Sequence, residues 1–459
     1  MPWDGYWKGA PALAETIREY LDTVQEQIRW KRARPVVVRE LEQHLTDQRD
    51  AFLEEGNTPE AAERLAVEEM GDPVFVGTEL DRVHRPKPQW GLLLPAVVSL
   101  CLWLGVQSLS FWGLSSFWDY VLRDMMTALL AFAVMSLLYL GDYTLLGRWS
   151  GALMALGSAA VLLVVLNYMI QWCRPLLYAG TYSIQLILPA VVTPLAIYRL
   201  REKGTPGLAA CVLLCLLQLG EAVIWMLPVA FWPGLVCNTG LLCLAVKKGW
   251  FGRSCWNWAL IAIYVLTVLI LMIWGGNLTG ITSRYIALLW PETEANWWGA
   301  RAWEAISRAK LVGMAEGDPL GLGEAPLHWL MTWKWDEFLL GILSLFGWLP
   351  FLALQVPMAV LLITGWRKCL RQTAVLGWLL GTGILLTLTW QAVSYLLQTF
   401  TGGWGLFTLF PYPLLTDGGT ALVLDCALLG ILLSVFRNGS IVRESAQGQV
   451  SERKDFQFP

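Results

Sequence analysis

The sequence predicts an all-α polytopic membrane protein with about ten transmembrane helices, preceded by a small cytosolic helical domain. Three observations carry this. Of the 459 residues, 56% are hydrophobic and 27 are Trp, and the mean hydropathy is +0.50, above what soluble domains show. About half of the 36 acidic residues precede Trp90, while the rest is apolar with short basic connections, so an acidic soluble part comes before a membrane part. Ten apolar runs of spanning character follow residue 90. The net charge of −3 excludes little, and no nucleic-acid partner is expected. The boundaries read as a helical domain over 1–82, a basic juxtamembrane linker over 83–90, a membrane domain over 91–437 and a cytosolic tail over 438–459.

Residues 11–32 place Leu13, Ile17, Leu21, Val24 and Ile28 three or four apart, which is one apolar face of an amphipathic helix. A second helix is expected over 35–55, with Leu41, Leu45 and Phe52 as its buried stripe and Gly56 as its stop. Asn57-Thr58-Pro59-Glu60 reads as an N-cap with proline at the first helical position, opening a third helix to Met70. Gly71-Asp72-Pro73 repeats the signal: glycine ends one helix and aspartate caps the next, which runs to Leu80. The opening Met1-Pro2-Trp3-Asp4 lacks the basic-then-apolar pattern of a signal peptide, so this domain is expected in the cytosol.

The apolar runs fall near 91–112, 118–140, 149–170, 183–199, 206–220, 222–246, 256–276, 338–365, 374–398 and 418–436, with Glu221 in an outer turn between the fifth and sixth. Basic clusters mark alternate connections: Arg148, Arg199 to Lys203, Lys247-Lys248 with Arg253, Arg367-Lys368 with Arg371, and Arg437. The positive-inside rule then puts both termini in the cytosol and the stretch 277–337 outside. Trp112, Trp118, Trp172, Trp290, Trp297, Trp298, Trp333 and Trp335 suit an outer aromatic belt. The nine Cys form no CxxC pair and sit mostly in apolar runs, which fits packing and gives no disulfide framework. Three His give no histidine-rich metal centre.

The outer stretch 277–337 cannot sit in lipid, for it carries Arg284, Arg301, Glu304, Arg308, Lys310, Glu316, Lys334 and Asp336 among other charges. Asp336 stands where the eighth run begins, flanked by Trp333 and Trp335. An acid there suits a helix cap, and two neighbouring indoles would limit its hydration. Asp425 lies inside the last run, where a carboxylate is costly and calls for a cavity, an arginine or a backbone donor. Arg123-Asp124, near the outer end of the second run, reads as structural.

Two resemblances add to this. Tyr20-Leu21, Arg39-Glu40-Leu41, the Glu-Glu-Gly at 54–56 and Ala-Val-Glu-Glu-Met-Gly-Asp-Pro at 66–73 resemble the permease prefix domain, a cytosolic module fused to membrane proteins of Gram-positive bacteria. In the membrane part, Phe410-Pro411-Tyr412-Pro413-Leu414-Leu415-Thr416-Asp417-Gly418-Gly419-Thr420 resembles the "IPLPFISYGGS" of the SEDS family (shape, elongation, division, sporulation), the RodA and FtsW type of peptidoglycan polymerase. Asp336, eleven residues before Gly347, resembles that family's "TDFIFAVIGEELGFIG", with Ser344 and Leu345 where the family has two glutamates. Arg174 to Gln185 resembles "RRWIxLGPISFQPSE": Gly180, Ser183 and Gln185 match, whereas Leu186, Ile187 and Leu188 replace its last three residues. Asp142-Tyr143 and Gln218 are fainter echoes.

The resemblance implies a reaction in which the hydroxyl of one lipid-linked disaccharide attacks the anomeric carbon of another and undecaprenyl pyrophosphate leaves. Asp336 is then the expected base, and Arg174, Arg284, Arg308, Lys310 and Lys334 are candidates for the pyrophosphate. Gln185, Pro413, Thr416, Gly418, Gly419 and Asp425 complete the expected substrate site. The implied substrate is lipid II or another undecaprenyl-linked sugar, the implied partner a class B penicillin-binding protein, and the implied place the bacterial cytoplasmic membrane. No cofactor is read from the sequence, and use of a divalent cation stays open. The replaced acids keep two further readings in play: a catalytically weak binding or regulatory protein of SEDS descent, and a transporter of lipid-linked precursors.

Overall fold

Capping signals set the helices at the start of the chain. The computed structural model describes residues 16–31, 33–84, 88–110, 116–170, 187–219, 231–279, 297–317, 320, 338–401, 412–415 and 419–438. The chain divides into unit 1, Met1–Pro88 with Arg437–Pro459, and unit 2, Gln89–Phe436. In unit 1, α1 (Ile17–Gln27) starts at Thr16, whose hydroxyl accepts the Glu19 N–H at 3.3 Å. After α2 (Arg34–Glu54), α3 (Pro59–Met70) starts at Thr58, which accepts from Ala61 at 3.3 Å. Asp72 opens α4 (Pro73–His84), its carboxylate accepting from Val74 at 3.1 Å. The caps at Thr58 and Asp72 are those the sequence predicts; the one at Thr16 lies inside the expected first helix.

The core of unit 1 gathers Tyr20, Leu21, Val24, Ile28, Val37, Leu45 and Val67. Leu45 is fully buried, whereas Leu41 and Phe52 are only partly so, and Leu13 lies outside the described residues. The first helix is shorter than the expected 11–32. Ile28 turns to extended backbone, and the N–H of Arg29 leaves the helix ladder for the Asp81 carboxylate of α4 at 2.8 Å. At the other end of α1, Glu63 of α3 accepts the Ile17 N–H at 2.9 Å. The fourth helix continues past Leu80 to His84.

Unit 2 is mostly helical in its described residues, with turns and irregular stretches between the helices. It comprises α5 (Trp90–Ser110), α6 (Phe117–Leu140), the short α7 (Thr144–Arg148), α8 (Ser150–Ile170), α9 (Thr193–Leu200), α10 (Gly204–Gln218), α11 (Thr239–Lys247), α12 (Cys255–Thr279), α13 (Trp297–Arg308), α14 (Phe338–Phe346), α15 (Trp348–Leu370), α16 (Val375–Thr401) and α17 (Gly419–Asn438). Helical residues occur in all ten expected runs. Among the described residues, six helices, α5, α6, α12, α15, α16 and α17, are long and apolar enough to cross a membrane alone; Ser150–Leu163 and Gly234–Lys247 are apolar but shorter. Twenty residues of α-helix rise about 30 Å, the thickness of a hydrocarbon core. The protein is therefore an all-α, multi-pass membrane protein.

The eighth run, expected as one span over 338–365, is broken in two. Gly347 has φ +90° and separates α14 from α15. A Cβ there would lie 2.6 Å from the carbonyl oxygen of Lys310 and 2.9 Å from that of Leu311, so only glycine fits. The 23 residues of α15 suffice to span on their own. α14 is instead buried from Leu339 to Leu345. Continuous apolarity hid this break, because hydropathy carries no information about backbone conformation.

Two further irregularities lie deep in unit 2. Leu188–Val192 and Gly234–Asn238 are π-helical turns that lead into α9 and α11, and they pack on one another. Each begins beside a proline, Pro189 or Pro233, whose missing N–H loosens the regular ladder. α16 packs against the first π turn, α9, α11, α13 and α15, and is the most buried of the six long helices.

Candidate functional site

The interior of unit 2 is polar where its helices converge on α16. Thr387, Gln391, Ser394 and Gln398 recur at steps of four, three and four residues and are all buried, so α16 turns a polar stripe inward. Without water in the bilayer, such groups need partners inside the protein. The Ser394 hydroxyl donates to the Gln391 carbonyl at 3.2 Å and that of Thr387 to Gly383 at 2.9 Å. Ring contacts flank the stripe: Trp390 lies 5.7 Å from Trp232, and Tyr395 meets Tyr412 edge-on at 5.9 Å.

The two π turns hold a second polar group. The Thr193 hydroxyl, at the end of the first, lies 2.9 Å from Asn238 Oδ1 and 3.2 Å from Gln218 Oε1, and Asn238 Nδ2 donates to the same Gln218 oxygen at 3.1 Å. Tyr264 of α12 donates to the Gly234 carbonyl at 3.0 Å. A small cleft bounded by Leu188, Pro189, Gln218, Leu219, Pro233, Gly234 and Asn238 opens beside them. The buried Gln218 Nε2 has no hydrogen-bond partner among the described residues and is a donor available to whatever enters the cleft.

The proline–glycine motif is partly described. Tyr412, Pro413, Leu414 and Leu415 are buried in a turn between α16 and α17. Leu414 has φ +61°, the one positive φ of a non-glycine among the described residues. Its N–H donates to Asp425 Oδ2 at 3.1 Å. A carboxyl group clamping a backbone amide holds a conformation that leucine rarely adopts. Asp425 is 0% exposed; of the roles open to it, the structure gives it the backbone donor. Gly419 starts α17 against Thr127 of α6.

Of the expected site residues, Pro413, Gly419 and Asp425 therefore share one end of α17. Lys310 stands elsewhere, on the segment after α13, where its ammonium pairs with Glu316 at 3.0 Å. Arg308 pairs with Glu304 at 2.7 Å. Asp336, Arg174, Gln185, Arg284, Lys334, Thr416 and Gly418 lie outside the described residues, as do Glu221, Trp333 and Trp335. Ser344 and Leu345, where the SEDS pattern has glutamates, are buried in α14. Leu188 begins a π turn. Arg123 and Asp124 of α6 form an ion pair at 3.0 Å.

Sequence reading missed Thr193, Asn238 and the α16 stripe. The stripe had a signal in the spacing of Thr387, Gln391, Ser394 and Gln398; the meeting of Thr193 with Asn238 had none, since 45 positions separate them. Amides and hydroxyls of this kind recognise hydroxyl and amide groups by hydrogen bonding. No cluster of three or more His, Cys, Asp or Glu able to hold a metal lies among the described residues.

No family model matches the chain, and no curated protein matches it. Solved structures do. A chain from the structure described as "Structural coordination of polymerization and crosslinking by a peptidoglycan synthase complex" aligns with a TM-score of 0.53 at 15% identity, over 76% of this chain and 98% of that one. The rod shape-determining protein RodA of Thermus thermophilus aligns at 0.42 and 16% identity over 77% and 97% of the two chains, and a mutant of it at 0.48 and 15% over 77% and 98%. At such identities the likeness is one of fold, and the alignment at 0.53 carries it. The fold is that of the aligned chain of the peptidoglycan synthase complex.

Proposed function

We propose that this protein works in cell-wall synthesis in the bacterial cytoplasmic membrane, polymerising lipid II or a related undecaprenyl-linked sugar into glycan strands. The observation that carries the reading is the shared fold with a chain of a peptidoglycan synthase complex, which extends over nearly all of that chain. The motifs at Asp336 and at 410–420 support it. In this reading the carboxylate of Asp336 takes the proton of the acceptor hydroxyl as that oxygen attacks the donor's anomeric carbon, and the pyrophosphate leaves toward cationic side chains. The Asp425 clamp on Leu414 holds the motif turn in place. Since the similar chain belongs to a complex of polymerisation and crosslinking, a class B penicillin-binding protein is the proposed partner. Cytosolic termini follow from the basic connections.

One observation favours a second reading, a binding or regulatory protein with weak catalysis. The family acids are replaced by Leu188, Ser344 and Leu345, all buried, and the polar groups around α16 are largely neutral. The decisive assay incubates purified protein in detergent with labelled lipid II, with and without a transpeptidase partner. Glycan strands from the wild type and a loss of about 100-fold or more in Asp336→Ala are expected for a general base. Strands that survive the substitution remove Asp336 from that role. Their absence under every condition supports the second reading.

A further inference from the structure

The segment between α13 and α14 begins with its backbone bonded and its side chains bare. The carbonyls of Lys310 and Leu311 accept the N–H groups of Trp348 and Leu349, each at 3.0 Å. The N–H groups of Gly313 and Ala315 donate to the carbonyls of Phe346 and Ser344 at 2.9 and 2.8 Å. Lys310–Ala315 thus caps the last carbonyls of α14 and the first amides of α15, which a helix cannot satisfy by itself. Yet Leu311 is 72% exposed, Val312 60% and Met314 40%.

We propose that Leu311, Val312 and Met314 form a non-helical strap that inserts into the bilayer interface at the Trp348 end of α15, with lipid as its occupant. Continuity supports this occupant: the lipid-facing side of α15, with Leu349, Leu352 and Val356 exposed, starts where the strap is bonded. Irregular backbone is costly at membrane depth unless its polar groups are paired, and the four bonds to the Gly347 break pair the carbonyls of Lys310 and Leu311 and the amides of Gly313 and Ala315, which suits the interface and not the hydrocarbon core. The charges beside the strap are compensated, Lys310 by Glu316 and Arg308 by Glu304, as suits the headgroup level. Trp303 of α13, 66% exposed, is the kind of residue that anchors there. Both basic residues at the far end of α15, Arg367 and Lys368, mark the opposite leaflet.

The test places the photo-crosslinking residue benzoylphenylalanine at Val312 of the full-length protein in nanodiscs of phosphatidylethanolamine and phosphatidylglycerol, with Leu352 as the lipid-facing reference and the exposed Glu55 as the solvent reference. Irradiation and intact-mass analysis are expected to give lipid adducts at Val312 within about threefold of Leu352 and about tenfold above Glu55. The same residue at Leu311 guards against a local disturbance at Val312. Adduct yields at both strap positions no higher than at Glu55, or cross-links to a second copy of the chain in place of lipid, overturn the proposal.

Discussion

Units 1 and 2 sort their residues in opposite ways. Unit 1 buries Tyr20, Leu21, Val24 and Leu45 and leaves most of its acids exposed, with Asp81 the buried exception. In unit 2, Leu137 is 72% exposed, Leu213 69% and Trp118 77%, while Gln391, Ser394, Asn238 and Asp425 are buried. Apolar burial sets the first arrangement. In lipid that driving force is absent between helices, so close packing and internal hydrogen bonds decide the second. The same alphabet therefore has to be read with two grammars, and a residue's meaning changes at Gln89.

Four measurements can break or sharpen this contrast. The largest effect is expected at Gly347, where backbone conformation and not apolar area holds unit 2: Gly347→Val introduces a side chain at positive φ against two carbonyls and is expected to cost on the order of 4 kcal/mol. Thermal unfolding in detergent reads it, and a shift too small to measure would mean that the break is dispensable. Next, Leu45→Ala empties the unit 1 core and should cost about 3 kcal/mol, whereas Leu213→Ala on the outer face of α10 should stay within about 0.5 kcal/mol. Equal costs would erase the distinction between the units.

The third measurement is a pH series on unit 1 within the full chain. Tyr20 is buried, its hydroxyl has no hydrogen-bond partner among the described residues, and burial, aided by the charge of Asp72, pushes its pKa from 10.0 up to about 12. Unfolded chain loses this proton near pH 10 while folded chain keeps it, so the stability of unit 1 falls as pH rises from 10 toward 12. Tyr20→Phe should flatten that slope, which helical circular dichroism in denaturant can follow. The smallest effect belongs to Thr193→Val, expected at about 1 kcal/mol, in line with hydrogen bonds between membrane helices. A loss several times larger would show that the π-turn network is a principal support of the fold.

How much was legible follows the same division. Thr58, Gly71 and Asp72 announced the helices of unit 1 because a cap is local chemistry written within four residues. The end of α1 was not legible, since Asp81 draws off the Arg29 N–H from 52 positions away. In unit 2 the apolar runs gave the helices, but not the Gly347 break or the π turns, which are properties of backbone and neighbours. For the site, Asp425 was read as needing an internal partner, and Leu414 is that partner. The company of Thr193, Gln218 and Asn238 depends on three helices meeting, which no spacing in the sequence encodes. Asp336 was chosen from motif spacing and lies outside the described residues.

α16 also bears on how the protein is made. Among the six long helices it has the lowest mean hydropathy, and its inward stripe puts four polar side chains into a segment that has to enter lipid. A nascent chain that has emerged only as far as this helix gains little by releasing it alone; α9, α11 and α15, all made earlier, must already be waiting to receive its amides and hydroxyls. α16 is thus expected to be seated in unit 2 after α9, α11 and α15, the helices that precede it and pack against it.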